Sequence, residues 1–388
     1  MKLSKIIYTL ALVSVCWTAC TQKDAQVSPV GKTIDYTGPG KTVRQILDSA
    51  KFTIYKAMWQ KANMDSVITA GNYQGYTLLV PTDAAFTAAG ITADKVKTMA
   101  VNDLDTILFY HTLNSWMPSA NIQQLKGNAS LRTLLTRSDI PTYSSWTPYV
   151  YYLFLGLHDK QLMVNGKAHP FTAMEGTNGT IYVLDEVLKQ PNTDMIDYLK
   201  SNPNFTFLLE ACRINDSIYQ TVWGQQGFSQ LLQASTRSAY ITLFAPTNNA
   251  FKKAGFNTID DLRQRALRYE VGWPNYDEHL YYRYTFTSLD TLLLAHHIDL
   301  TGVQPANYNM VIFTNDMLDN GAISNFTIDP GRAYNNPPQY VRLNFSANGN
   351  TIMVKETGSS VGALPLKSTD MMFRNGVLHI VDDGLFKQ

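Results

Sequence analysis

Thr77-Leu78-Leu79-Val80-Pro81-Thr82-Asp83-Ala84-Ala85-Phe86 decides the fold, because the chain repeats it as Thr242-Leu243-Phe244-Ala245-Pro246-Thr247-Asn248-Asn249-Ala250-Phe251. Ala89-Gly90 after the first copy likewise returns as Ala254-Gly255 after the second. In each copy a short apolar run of β-favouring character ends at a proline, which has no N–H to give to a ladder. The threonine that follows, with Asp83 or Asn248 beside it, is of the type that caps the first turn of a helix, and Phe86 or Phe251 is the residue that turn buries.

Two more blocks recur in the same order. Leu104-Asp105-Thr106-Ile107-Leu108-Phe109-Tyr110-His111 returns as Leu289-Asp290-Thr291-Leu292-Leu293-Leu294-Ala295-His296. Helical spacing sets Leu104, Ile107, Leu108 and His111 on one apolar face, which reads as a buried structural histidine able to bond the last carbonyls of its helix. Asn178-Gly179-Thr180-Ile181-Tyr182-Val183-Leu184-Asp185 matches Asn375-Gly376-Val377-Leu378-His379-Ile380-Val381-Asp382. Here an Asn-Gly turn launches a buried strand, and His379 packs where the first copy has Tyr182. Three ordered blocks, twice over, establish an internal repeat.

The set resembles the fasciclin-like (FAS1) domain. Its first box corresponds to Pro81, Thr82 and Phe86 and again to Pro246, Thr247 and Phe251. Its middle marker, Tyr-His, corresponds to Tyr110-His111, with Ala295-His296 in the second copy, and its second box is the Asn-Gly strand. The resemblance implies an α+β fold of two tandem FAS1 domains, each a compact β-sandwich or wedge with packed helices, in which these motif residues are structural. It also implies binding or adhesion rather than catalysis. Asp370-Met371 stands where many members carry Asp-Ile, an adhesion motif in some animal relatives, so Asp370 is a candidate ligand contact; the first copy has Ala173-Met174 there.

Domain limits follow from the helices that lead into each first box. Thr42 can cap a helix with Val43, Ile46 and Leu47 on its inner face, and Met195, Ile196 and Leu199 do the same in the second copy. Gln190-Pro191-Asn192 ends the first unit. The expected organisation is residues 41–191 for domain one and 192–388 for domain two, with a short stiff junction.

The second copy is longer. Thirty residues separate Pro81 from His111 against fifty between Pro246 and His296, and 68 separate His111 from Gly179 against 80 between His296 and Gly376. The first insertion carries Trp273, Tyr276, Tyr281, Tyr282 and Tyr284, which are the main candidate ligand contacts, since additions to a shared scaffold are where individual function is gained. The second insertion falls around Asp329-Pro330-Gly331 to Asn335-Asn336-Pro337-Pro338, a loop by its turn chemistry. In domain one Tyr143, Trp146, Tyr149, Tyr151, Tyr152 and Phe154 can either present rings to a ligand or pack as ordinary strand residues.

The chain of 388 residues, 45% hydrophobic and 16% charged, has material for two cores. Its 32 basic and 31 acidic side chains leave no electrostatic footprint for general nucleic-acid binding. Lys2, Lys5, an apolar run from Ile6 to Val15 and then Thr18-Ala19-Cys20 read as a signal peptide over residues 1–19. The last triplet resembles a bacterial lipobox, which makes Cys20 the lipidation site, with simple secretion as the alternative. Thr21-Gln22-Lys23-Asp24 resembles the acidic export signal of Bacteroidetes lipoproteins. Residues 20–40 then form a flexible tether, and the expected location is the cell envelope, on an outer-membrane lipoprotein displayed at the surface. Cleavage before Cys20 would leave Cys212 as the only other thiol. Phe205, Leu208, Leu209 and Cys212 share one helical stripe, so that thiol reads as core.

Fragments that imitate catalytic motifs lack their context. Gly358-Ser359-Ser360-Val361-Gly362 is followed by Ala363-Leu364-Pro365, which starts no amphipathic helix. Gly38-Pro39-Gly40-Lys41-Thr42 has Asp35 where a phosphate loop needs its first glycine. No histidine or cysteine pair has metal-ligand spacing, and Asp382-Asp383 point to opposite faces at a strand end. The sequence therefore predicts no enzyme, no metal and no cofactor. It predicts a membrane-anchored adhesion or protein-binding module whose partner is an envelope protein, or alternatively an extracellular glycan held as an accessory to outer-membrane polysaccharide uptake.

Overall fold

The computed structural model describes residues 40–73, 75–142, 146–223, 227–232, 240–267, 288–298, 311–318, 326–328 and 341–386. They lie in one contact unit, Pro39–Gln388, built of mixed helices and strands. The first sheet has eight strands: β1 (Tyr76–Pro81), β2 (Thr112–Leu113), β3 (Ala129–Arg137), β4 (Tyr149–His158), β5 (Gln161–Val164), β6 (Lys167–Pro170), β7 (Ala173–Gly176) and β8 (Gly179–Leu184). They lie in the order β6-β5-β4-β3-β2-β1-β8-β7. The second sheet has seven: β9 (Ile241–Pro246), β10 (His297–Ile298), β11 (Phe326–Ile328), β12 (Val341–Asn348), β13 (Thr351–Glu356), β14 (Leu364–Phe373) and β15 (Gly376–Val381), in the order β10-β9-β15-β14-β13-β12-β11.

The repeat read from the sequence is a repeat of topology. β1 runs parallel to β8 with Leu78 opposite Ile181, and β9 runs parallel to β15 with Leu243 opposite Leu378. Both β1 and β9 are buried along their whole length, which is why they read as continuous apolar runs rather than alternating ones. The two-residue side-chain period still sorts their contacts. Leu78 enters the core shared with Leu47, Trp59, Phe86 and Leu108 from the helices, whereas Leu79 enters a second core with Leu153 and Tyr182 from the sheet. Leu243 and Phe244 divide in the same way.

The copies differ at one strand. In the first, the segment between β5 and β8 breaks at Phe171-Thr172 into β6 and β7; in the second, β14 runs unbroken past β13 and then along β15. It manages this with two register shifts, between Leu366 and Ser368 and between Ser368 and Met371. The second shift sets Thr369 and Asp370 against His379 alone, a β-bulge, and Asp370 takes φ of 57° there.

The two repeats are joined by a packed interface. Phe154 of β4 packs on Phe313 with ring centroids 5.5 Å apart, in a cluster with Val311 and Val377. Tyr240 sits across Tyr152 and Phe154 and donates its hydroxyl to Val150 O at 3.2 Å, while the Tyr149 hydroxyl bonds Arg374 O. Beside these rings lies a buried polar knot. Asp316 accepts from Asn128 N at 2.7 Å, from Asn128 Nδ2 at 2.8 Å and from Phe313 N at 2.9 Å. All the polar groups of that knot lie below a tenth exposed, so the bonds hold the repeats in one orientation with little competition from water.

Candidate functional site

The motif residues turn out to be scaffold, each with a defined task. Thr82 Oγ1 accepts from Ala85 N at 3.1 Å and Thr247 Oγ1 from Ala250 N at 3.3 Å, as N-caps. Asp83 and Asn248 act elsewhere than expected: they cap an earlier helix of their copy, Asp83 accepting from Thr53 N and Ile54 N and Asn248 from Phe207 N at 2.9 Å. Asn178 and Asn375 cap the first helix of each copy, accepting from Val43 N and Met195 N. Phe86 and Phe251 are fully buried, and so is Tyr110, whose hydroxyl accepts from Asn165 Nδ2.

His111 and His296 are likewise structural, with one bond more than their helical position shows. The helix Val101–Tyr110 ends just before His111, and the helix Ser288–Ala295 just before His296, so His297 already belongs to β10 rather than to a shared helix turn. Nδ1–H of His111 donates to Ile107 O at 2.7 Å while Nε2 accepts from Leu188 N at 3.0 Å. His296 repeats this with Leu292 O and Phe386 N. One nitrogen must donate and the other accept, which only the neutral ring can do, and burial holds both histidines down at about 4. Cys212 is buried in the core that holds Leu243 and Phe251, and its thiol is pushed up by that burial, the state of an inert thiol.

One cleft gathers charged side chains where the repeats meet. A cleft of about 310 Å³ is lined by Lys167, Glu186 and Lys189 from the first repeat and by Asp370 and Met372 from β14, over Val164 and Leu188. Lys167 Nζ pairs with Glu186 Oε1 at 3.2 Å. Behind Glu186 lies His169, almost wholly buried, with Nδ1 2.6 Å from Asp185 Oδ1 and Nε2 3.9 Å from Glu186 Oε1. Asp370, of the sequence-predicted contacts, is placed in this cleft. Its carboxylate accepts from Thr314 N at 2.9 Å and from Thr314 Oγ1 at 2.6 Å, and Gly166 of the first repeat packs on it so closely that a Cβ there would lie 2.9 Å from Asp370 Cγ. Burial pushes Asp370 up to about 6 against the opposing pull of the Thr314 bonds. Asp370 is thus a carboxyl raised by burial and carried on a left-handed backbone in the wall of the cleft.

Sequence reasoning missed Lys167, Glu186, Lys189 and His169. The available signals were the Asn165-Gly166 hairpin turn just before Lys167 and the acidic pair Asp185-Glu186 just after the Asn-Gly strand. The aromatic run of domain one goes mostly to packing: Tyr149, Tyr151 and Phe154 are buried, while Trp146, three residues ahead of β4, is 92% exposed. Trp273, Tyr276, Tyr281, Tyr282 and Tyr284 lie outside the described residues, as do Cys20, Tyr143 and the loop around Asp329. Among the described residues no cluster of His, Cys, Asp and Glu can hold a metal, and no helix is long and apolar enough to cross a membrane.

Comparison with known proteins fixes the first repeat. Residues 50–191 match the family model of the Fasciclin domain. A stretch of 77 residues is 32% identical to human Periostin, covering 20% of this chain and 8% of Periostin, so the chain spans less than a tenth of that relative's length. Among solved structures, a FAS1 domain pair from the insect cell adhesion molecule Fasciclin I aligns over 86% of this chain and 96% of that one, at 12% identity and a TM-score of 0.30. Fasciclin domains are adhesion-related and generally non-catalytic modules. The second repeat shares with the matched residues 50–191 their parallel central strand pair, their cap bonds and their two-bond histidine.

Proposed function

We propose that this chain is a lipid-anchored protein of the cell envelope that mediates adhesion or protein–protein contact, with the cleft between its repeats as the contact site. One observation carries the reading. The buried polar side chains of the motifs are committed to caps and chain-end bonds, whereas Lys167, Glu186, Lys189 and Asp370 are gathered from distant segments around one open cleft. The anchor at Cys20 supplies location and the tether reach.

The test is attachment. Microspheres coated with the full chain are counted on intact cells and on immobilised envelope proteins, beside a variant with Lys167→Glu and Lys189→Glu. The reading expects saturable attachment that the charge reversals reduce at least tenfold while the melting temperature holds. Attachment that survives the reversals moves the contact elsewhere, and no attachment to any protein surface refutes the reading. The exposed ring of Trp146 favours the second reading, an extracellular glycan held by aromatic stacking; retardation in a polysaccharide gel is its signature.

A further inference from the structure

The cleft between the repeats has main chain without partners on both walls. On one side, β14 pairs with β15 up to the hairpin, but its other edge meets β13 only at Leu364 and Pro365. Phe373 and Gly376 flank a two-residue turn and form a hydrogen-bonded pair, so the N–H and C=O of the preceding residue, Met372, are turned away from β15. No other segment bonds them among the described residues. On the opposite side, Glu186 to Lys189 belongs to no helix or strand. Leu188 gives its N–H to His111, and the main-chain groups of Val187 and Lys189 bond nothing among the described residues. An unpaired edge facing a second unpaired segment across a gap is a template for a strand.

The side chains around the gap define what that strand carries. Val164, Leu188 and Met372 give the cleft an apolar floor. Lys167 is paired with Glu186, and Asp370 is bonded to Thr314. Lys189 is exposed and forms no ion pair among the described residues, which leaves its ammonium open to a carboxylate.

We propose that the cleft takes an extended segment of a partner protein by strand addition along the free edge of β14, with an apolar side chain on the floor and a carboxylate at Lys189. This rests on the protein-binding reading above and specifies its mode. Strand addition draws affinity from main-chain bonds and specificity from alternate side chains, so the bound segment answers to changes with a period of two.

The experiment is a selection from a displayed library of random twelve-residue peptides against the full chain, followed by fluorescence anisotropy with the synthetic winners. The expected winners combine an acidic residue with β-branched or aliphatic ones. Methylating single amide nitrogens of a winner is expected to weaken binding tenfold or more at alternate positions and hardly at all between them. Lys189→Glu, at an exposed site, is expected to weaken the acidic peptides tenfold with the melting curve unchanged. Failure to enrich any peptide, indifference to N-methylation, or equal binding by Lys189→Glu overturns the proposal. If microsphere attachment persists through such a failure, strand addition alone falls; if attachment is lacking as well, the protein-binding reading falls with it.

Discussion

Acidification from neutral pH to about pH 5 is expected to destabilise the protein by an amount that the buried histidines set. His111, His296 and His379 are each held near 4 by burial, against an ordinary value of 6.5. His379 resembles the other two in having both nitrogens engaged, Nε2–H donating to Ile312 O at 2.8 Å and Nδ1 accepting from Asp370 N at 3.2 Å. The unfolded chain therefore takes up protons below 6.5 that the folded chain refuses until about 4, and stability falls with pH through that window. At about pH 5 each histidine contributes a loss of ~1.8 kcal/mol relative to neutral pH, or ~5.5 kcal/mol for three. Asp370 works in the opposite direction. Its carboxyl sits at about 6 in the fold and 3.8 outside it, so the folded state binds the proton first and recovers ~1.3 kcal/mol by the same pH. The net expectation is a loss of about 4 kcal/mol, a large share of the stability of an ordinary domain. Urea unfolding followed by tryptophan fluorescence at stepped pH gives the number directly. A midpoint that stays constant from neutral pH to pH 5 would refute the neutral two-bond state of these rings.

Four further outcomes are expected. Asp316→Ala strips the acceptor from Asn128 N, Asn128 Nδ2 and Phe313 N at a buried site, should cost roughly 3 kcal/mol, and should split one calorimetric transition into two as the repeats uncouple. Gly376→Ala places a Cβ against Ile241 O at a φ of 140° and should lose at least ~3 kcal/mol, read as a lowered melting temperature of the second repeat. Cys20→Ala should abolish incorporation of labelled fatty acid and release the protein to the soluble fraction; continued labelling would refute lipidation at that residue. Trp273→Ala with Tyr276→Ala should weaken ligand capture in affinity electrophoresis without shifting the melting curve, and equal capture would remove those rings from the site.

The sequence displayed the scaffold because the scaffold is written twice. A strand that stops at Pro81 and again at Pro246, or a histidine that closes the same Leu-Asp-Thr block in both copies, declares its period without any knowledge of contacts. The tasks behind the pattern were less legible: that Asp83 caps an earlier helix of its copy, or that His111 Nε2 receives Leu188 N, depends on segments that meet only in three dimensions. The joint between repeats left no local trace at all. Asn128 and Asp316 are 188 positions apart, and nothing in the neighbourhood of either distinguishes a buried knot from a polar turn. Tyr149, Tyr151 and Phe154 showed the composition of a ring platform and of a packed strand equally well, and only the second repeat lying against them decides for packing.

The informative positions are those where the copies disagree. Tyr182 and His379 occupy the same place in the strand after Asn-Gly, and each reaches a carbonyl on a crossing segment, Met117 O at 2.9 Å in one and Ile312 O at 2.8 Å in the other. The imidazole, unlike the phenol, carries a second nitrogen facing the neighbouring strand. That nitrogen accepts Asp370 N, which the bulge has taken out of the ladder and which would otherwise be a partly buried donor without an acceptor. A tyrosine offers nothing at that point, and in the first copy Ala173 duly pairs with Tyr182 in regular register. The exchange of one ring for another thus stabilises a two-against-one strand pairing, holds Asp370 in the left-handed region, and directs its carboxylate to Thr314 at the rim of the cleft. Repetition marks what the fold needs; the unmatched pair His379 and Asp370 marks where the second copy departs from the geometry of the first.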